Sequence, residues 1–192
     1  IHQELKTILK GKNMKFDVIV GNPPYQINDG GHGASASPLY HLFVDQAKKL
    51  NPQYLTMIIP ARWYASGKGL DSFRETMLND KKIKILVDYT DASECFPGVE
   101  IKGGVCYFLW DESHNDTCLV INKIRDKESS INRNLNDYDV FVRFNDGINI
   151  LNKIKTHNEP TLSDMVLSRN PFGLATNFTD FKKEQFSNSI KL

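Results

Sequence analysis

The chain has 192 residues, 40% of them apolar, and a formal net charge of +1. That is length for one domain with a real core and part of a second, and the near-neutral balance excludes strong global attraction to nucleic acid, so any such affinity must come from local patches. The three cysteines (Cys95, Cys106, Cys118) form no Cys-x-x-Cys pair and no His cluster accompanies them, which argues against a structural zinc site and fits a reducing cytoplasm, while no signal peptide or long apolar stretch points to a membrane.

In chain order, Ile1 stands where a start Met would, and a helix is expected over His2 to Lys10, so the chain reads as a piece of something longer. Phe16-Asp17-Val18-Ile19-Val20 is a short β-branched run and reads as a buried strand that ends at Gly21. Asp29 to Pro38 is a flexible loop by composition. Leu39, Leu42, Phe43, Ala47 and Leu50 have helical spacing, closed by Asn51-Pro52. Tyr54 to Ile59 reads as a second strand, stopped by Pro60. Gly69 leads into a helix from Leu70 to Leu78, with Asp71 or Ser72 near its cap. Ile83 to Val87 and Gly104 to Trp110 read as the third and fourth strands. Strands alternating with helices predict an α/β layer fold with a largely parallel sheet.

Beyond Trp110 the texture changes. Asp111 to Asp116 is polar, Cys118 to Ile121 reads as a short strand, and Lys123 to Asp139 reads as a solvated loop. Val140 to Phe144 is a candidate partner for the preceding strand, and Ile148 to Ile154 a helix. From Pro160 the apolar residues scatter. There is no internal repeat and no low-complexity tract.

Asn22-Pro23-Pro24-Tyr25 carries the chemistry. In open α/β sheets ligands bind at the carboxyl ends of the strands, where this loop is expected. A planar exocyclic amine such as adenine N6 is a poor nucleophile, because its lone pair is delocalised into the ring. An acceptor at each N–H frees that lone pair. The Asn22 side-chain oxygen can be one acceptor and the Pro23 carbonyl the other, held in direction by the fixed φ of proline and the restriction Pro24 places on its neighbour. Tyr25 offers a face on which a flipped base can stack and which favours positive charge on the attacked nitrogen. Positioning and electrostatics suffice, with no metal and no covalent intermediate.

Phe16 to Tyr25 resembles the catalytic motif of S-adenosylmethionine-dependent adenine N6 DNA methyltransferases, of the gamma type and of the methylase parts of type IIG restriction-modification proteins. The resemblance runs over roughly residues 15–110. It implies a target-adenine pocket at Asn22, Pro23, Pro24 and Tyr25, and a cofactor flank formed by Asn22 with Leu39, Tyr40 and Phe43. Cys95-Phe96-Pro97-Gly98-Val99 followed by Gly103-Gly104-Val105-Cys106-Tyr107-Phe108 is similar to the family segment that brings a second aromatic against the flipped base. By that match Phe96 is the opposite wall of the pocket; on its own residues Phe96 reads equally as a core ring before a Pro-Gly turn. The family's glycine-rich turn for S-adenosylmethionine lies upstream of the catalytic loop, and too few residues precede Asn22 to supply it. The implied architecture is the C-terminal half of a Rossmann-like methyltransferase sheet with helices on both faces. Residues 1–14 would be a helix or linker from an upstream cofactor half, 15–112 the catalytic half, 113–159 an extension with a hairpin and a helix, and 160–192 the start of a target-recognition region. The isolated chain is expected to be inactive, and the intact enzyme to act on double-stranded DNA beside a fused or companion endonuclease and a specificity region.

Other constellations compete. Arg62, Trp63, Lys68 and Arg74 can contact phosphate and stack on bases near a pocket mouth, or be solvated loop residues; Lys81, Lys82 and Lys84 form a second basic cluster. Glu100 and Lys102, with Asp88 or Asp91 upstream, mimic the acidic-x-Lys pattern of metal-dependent nucleases, although a charged loop between strands explains them too. His32, His41, His114 and His157 have no ligand spacing. Two further readings remain open: the same loop on a protein glutamine amide or an RNA amine, and a non-catalytic DNA-binding piece.

Overall fold

The computed structural model describes residues 15–27, 37–65, 69–138 and 140–157. The helix expected over His2 to Lys10, most of the loop from Asp29, Lys68 and the region from Pro160 lie outside them. The elements run β1 (Val18–Gly21), β2 (Gln26–Ile27), β3 (Ser37–Pro38), α1 (Tyr40–Lys49), β4 (Tyr54–Pro60), α2 (Asp71–Asn79), β5 (Ile83–Tyr89), β6 (Val105–Asp111), β7 (Cys118–Ile124), β8 (Lys127–Arg133) and α3 (Asn145–Thr156). The sheet and the elements packed on it belong to a compact unit that ends at Asn152.

Six strands form one sheet in the order β1-β4-β6-β5-β7-β8. The β1/β4 and β5/β7 pairs are parallel, and the β4/β6, β5/β6 and β7/β8 pairs are antiparallel. The sheet is therefore mixed, not largely parallel as the alternation of elements predicts. The cause is local. No helix long enough for a parallel crossover lies between β5 and β6, so β6 returns beside β5 in the opposite sense. It slots between β5 and β4. Because β6 and β8 run against the others, the carboxyl ends of β1, β4, β5 and β7 share one edge of the sheet.

Leu55, Met57 and Ile59 of β4, Phe108 and Trp110 of β6 and Leu86 of β5 point to one face and are buried there with Val44 of α1 and Phe73 and Met77 of α2. The amphipathic spacing of the two helices is thus spent on a single face of the sheet. Lys48 at the end of α1 reaches Asp80 at 2.7 Å, and the Trp110 indole N–H donates to the same carboxylate at 2.9 Å. Asn51, at φ 51, ends α1 in the left-handed region, where Asn is better tolerated than most residues. The α2 helix begins after Leu70 without a side-chain cap, and Asp71 instead pairs with Arg74 one turn on.

β1 departs from its expectation. Its sequence reads as a buried strand, yet among the described residues it is an outermost strand of the sheet, with Val18 54% and Val20 75% exposed. Register explains the split: Ile19 sits opposite Leu55 and joins the core, whereas Val18 and Val20 share the other face with Tyr54 and Thr56.

The Lys123 to Asp139 stretch is not a loop throughout. Arg125 (φ 53) and Asp126 turn the chain, and Lys127–Arg133 forms β8 against β7. Its apolar period is hidden because Ile131 is its only apolar residue, as suits an outer strand that must resist further pairing. Val140 to Phe144 is consequently no strand. Phe141 donates its N–H to the Tyr64 carbonyl at 3.1 Å, and the Asn122 side chain takes up the Arg143 carbonyl and the Asn145 N–H.

Burial also grades the thiols. Cys106 and Cys118 are buried, and burial pushes both up to about 12; Cys95 is half-buried. The thiolate is the reactive form. One thiol per chain, Cys95, is therefore expected to react with a soluble disulfide reagent in the native protein and three after denaturation; fast native reaction of all three would contradict this packing.

Candidate active site

Gly21 ends β1 where a Cβ would meet the Met57 side chain at 3.3 Å, so the chain turns off the sheet close against β4. Asn22 to Tyr25 thus leave at the shared carboxyl edge. Pro23 is buried, Asn22 and Pro24 are exposed, and Tyr25 is half-buried and packs on the core. The exit is fixed twice: the Leu39 N–H donates to the Tyr25 carbonyl at 3.0 Å, and β2 pairs with β3. A stiff two-proline loop anchored at both ends holds its functional groups in a set direction.

The opposite side is built by the segment between β5 and β6. Asp91 accepts the Ser93 N–H, which starts a short 3₁₀ turn over Ala92–Glu94. The Phe96 N–H then donates to the Ala92 carbonyl at 2.8 Å, and Gly98, at φ 78, reverses the chain. Gly104 closes the segment at φ +77, where a Cβ would lie 2.1 Å from the Tyr89 carbonyl oxygen. Only glycine fits there. Its carbonyl accepts the Ala61 N–H at 3.0 Å, which ties this wall to the end of β4.

Between the two sides lies a cleft of about 780 Å³ whose lining includes Asn22, Pro23, Pro24, Tyr25, Tyr40, Arg62, Phe96, Glu100 and Lys102. Phe96 is half-buried and faces this cleft, although it also precedes a Pro-Gly turn as its bland reading requires. Burial, helped by Cys106 and Cys95 nearby, pushes the Tyr25 phenol up to about 12, so the ring is neutral at physiological pH.

The remaining expected residues divide. Arg62 is exposed on the cleft. Trp63 is a correction: it is 0% exposed and packs against Tyr64, Phe73 and Phe141, so it has no free face for a base. The 3₁₀ turn Ala61–Tyr64 buries Ala61, Trp63 and Tyr64 and leaves Arg62 alone facing outward. Arg74 is spent on the same turn, donating from Nε to the Trp63 carbonyl at 2.8 Å. Tyr40 lines the cleft; Leu39 and Phe43 are half-buried and not among its lining residues. Lys82 and Lys84 pair with Glu112 and Asp111. The nuclease pattern does not assemble. Asp88 is fully buried against Arg143, at 2.7 and 2.8 Å, and the Asp91 carboxylate caps its own turn, so neither joins Glu100 and Lys102 at the cleft.

The Asp88–Arg143 pair is what sequence reasoning missed. Burial pushes the Asp88 carboxyl up, and the Arg143 guanidinium, Tyr64 and Asn122 pull it back. Burial works against the Arg143 charge, but Asp88 outweighs it and holds the guanidinium more firmly protonated. Arg143 Nη2 also donates to the Tyr89 carbonyl at 3.2 Å, the atom that presses on Gly104. No spacing rule links two residues so far apart in the chain.

S-adenosylmethionine, the cofactor the loop chemistry implies, is fitted in part. Two side-chain amides, three aromatic rings and two buried hydroxyls line the cleft, but Glu100 is the single acidic residue among its described lining residues to accept from a ribose diol or an ammonium.

The Eco57I restriction-modification methylase family matches residues 1–96. An uncharacterized adenine-specific methylase of Mycoplasma pneumoniae is 40% identical over 134 residues, covering 67% of this chain and 31% of that protein. The chain therefore spans about a third of this relative's length. Among solved structures, the type IIG restriction endonuclease BpuSI aligns with 17% identity and a TM-score of 0.41 over 56% of this chain and 15% of its own. The type I restriction-modification methyltransferase subunit from Streptococcus thermophilus aligns with 10% identity and a TM-score of 0.43, over 77% and 33%. With half of its residues matched by the family, and with the Asn22–Tyr25 loop inside that half, the chain belongs to the Eco57I restriction-modification methylases.

Proposed function

We propose that this chain carries the target-base half of an enzyme that methylates adenine N6 in double-stranded DNA, within a restriction-modification system. The observation that carries the reading is the placement of the Asn22–Tyr25 loop and Phe96 on one cleft at the carboxyl edge of the sheet. S-adenosylmethionine, when bound, supplies a methyl group made electrophilic by its sulfonium. The chain's own part is to hold the base. Tyr25 and Phe96 receive the flipped adenine between them, and a stacked, unpaired base is no longer protected by the duplex. The Asn22 side-chain oxygen and the Pro23 carbonyl accept from the two amine hydrogens. With its lone pair freed in this way, the nitrogen would attack the sulfonium methyl carbon, the S–C bonding pair would stay on sulfur, and the amine proton would pass to solvent. The proline-fixed loop needs little reorganisation as charge develops.

The reading includes an upstream or partner segment that completes the cofactor site, a specificity region, and a fused or companion endonuclease. No described helix is long and apolar enough to cross a membrane, and a cytoplasmic place follows from the DNA substrate. The test is transfer of labelled methyl from S-adenosylmethionine to unmethylated duplex DNA by the full-length protein, with the label recovered as N6-methyladenine. Label recovered on cytosine, or no transfer by a full-length protein that binds the cofactor, would overturn the reading.

Arg62 supplies one phosphate contact at the mouth. Arg62→Ala is expected to weaken duplex binding up to ~10-fold and to lower the salt-dependence slope by about one. Trp63→Phe is expected to leave that slope unchanged.

A further inference from the structure

Tyr40 stands at the start of α1, is 2% exposed, and lines the cleft, and its hydroxyl has no hydrogen-bond partner among the described residues. The Tyr25 hydroxyl on the same cleft is likewise buried and without a partner among the described residues. A buried hydroxyl without a partner destabilises a fold, and phenylalanine would fill the same space without that cost. The Tyr40 ring already has its packing, edge-on to Phe73 and His41, so the fold itself uses the ring and not the oxygen.

We propose that the Tyr40 hydroxyl donates to a ring nitrogen of an adenine held in this cleft, and so reads the heterocycle. The inference rests on the methyltransferase reading. An adenine ring offers nitrogen acceptors along its edges, which a phenol O–H can meet. Such a ring comes from two sources, the flipped nucleotide and the cofactor's own adenosine, and the chemistry is the same for both.

The test is Tyr40→Phe in the full-length protein, with four measurements: thermal midpoint, KM for unmethylated plasmid DNA, KM for S-adenosylmethionine, and calorimetric binding of S-adenosylhomocysteine. The expected result is an unchanged or higher midpoint together with weaker binding on the order of 10-fold. A raised KM for DNA alone assigns the contact to the flipped base. A raised KM for S-adenosylmethionine with weakened S-adenosylhomocysteine binding assigns it to the cofactor. Unchanged binding of both overturns the inference, whatever happens to the midpoint; a lowered midpoint or a misfolded variant overturns it as well, because the oxygen would then be serving the fold through a fixed water. Asn22→Ala run alongside separates the two failures. If Asn22→Ala abolishes transfer while Tyr40→Phe changes nothing, only this inference falls; if Asn22→Ala transfers normally, the reading beneath it falls.

Discussion

Asn22→Ala in the full-length protein is expected to lower the rate of methyl transfer by ~10²–10³-fold while leaving the fold intact, a loss of the size seen when one pre-organised polar group is removed from a developing charge. Asn22 is exposed at the end of β1 and takes no part in the core, so the thermal midpoint should not move. The aromatic rings of Tyr25 and Phe96 remain on the cleft, and with them the stacking proposed to bind the base. The loss should therefore fall on kcat rather than on KM for DNA, the pattern of an interaction made chiefly in the transition state. Asn22→Asp keeps an acceptor oxygen in place and is expected to retain more activity than alanine. Single-turnover methyl transfer at saturating DNA measures both. A variant within a few-fold of wild type would mean that the amine is held by something other than this amide.

The second large effect concerns stability. Arg143→Leu is expected to cost about 3 to 5 kcal/mol, because it strands the fully buried Asp88 carboxylate without a counter-charge. Adding Asp88→Asn to that variant removes the stranded charge and should recover most of the loss. Urea unfolding of the single and double variants gives both numbers. The pH dependence has a definite sign. Asp88 is raised above its unfolded value in the native state, so the native state keeps its proton to higher pH. The stability due to that proton is full below the unfolded carboxylate range and is lost as pH rises through the native value. Without Arg143 the carboxyl rises further, so the Arg143→Leu penalty should shrink as pH falls. A penalty that grew on acidification would show that Asp88 is stabilised by ionisation alone.

The motif-bearing half of the site was legible in the sequence, and its setting less so. Asn22 to Tyr25 could be placed at a strand end because the apolar run before them is short and β-branched. The α1 and α2 helices could be read because their faces repeat at helical spacing and stop at Asn51-Pro52 and near Asn79. Strand direction left no mark in the apolar runs, so the reversed β6 was missed; a continuous run such as Val105 to Trp110 looks the same in either sense. β8 was missed because its outward residues are polar and its inward ones include Ser129 and Arg133. Trp63 was misassigned because an aromatic beside an arginine after a strand suits a DNA contact as well as a core, and only the turn geometry decides. The Asp88–Arg143 bond lay beyond reach, since it depends on how the segment after β8 folds back over the sheet.

The position of β1 has a kinetic corollary. Among the described residues it is held by β4 alone, through four register pairs, while β4, β5, β6 and β7 each have two neighbours. Backbone amides in such a strand open at a lower free energy than those of the strands inside. Hydrogen–deuterium exchange should therefore begin at Val18–Gly21, well ahead of β4 and β6. The two prolines that follow have no amide to exchange, so the label will pass from Asn22 directly to Tyr25. A loop stiffened by two prolines hangs from a strand held on one side among the described residues, and a segment that slows exchange along β1 would also steady the groups proposed to hold the base.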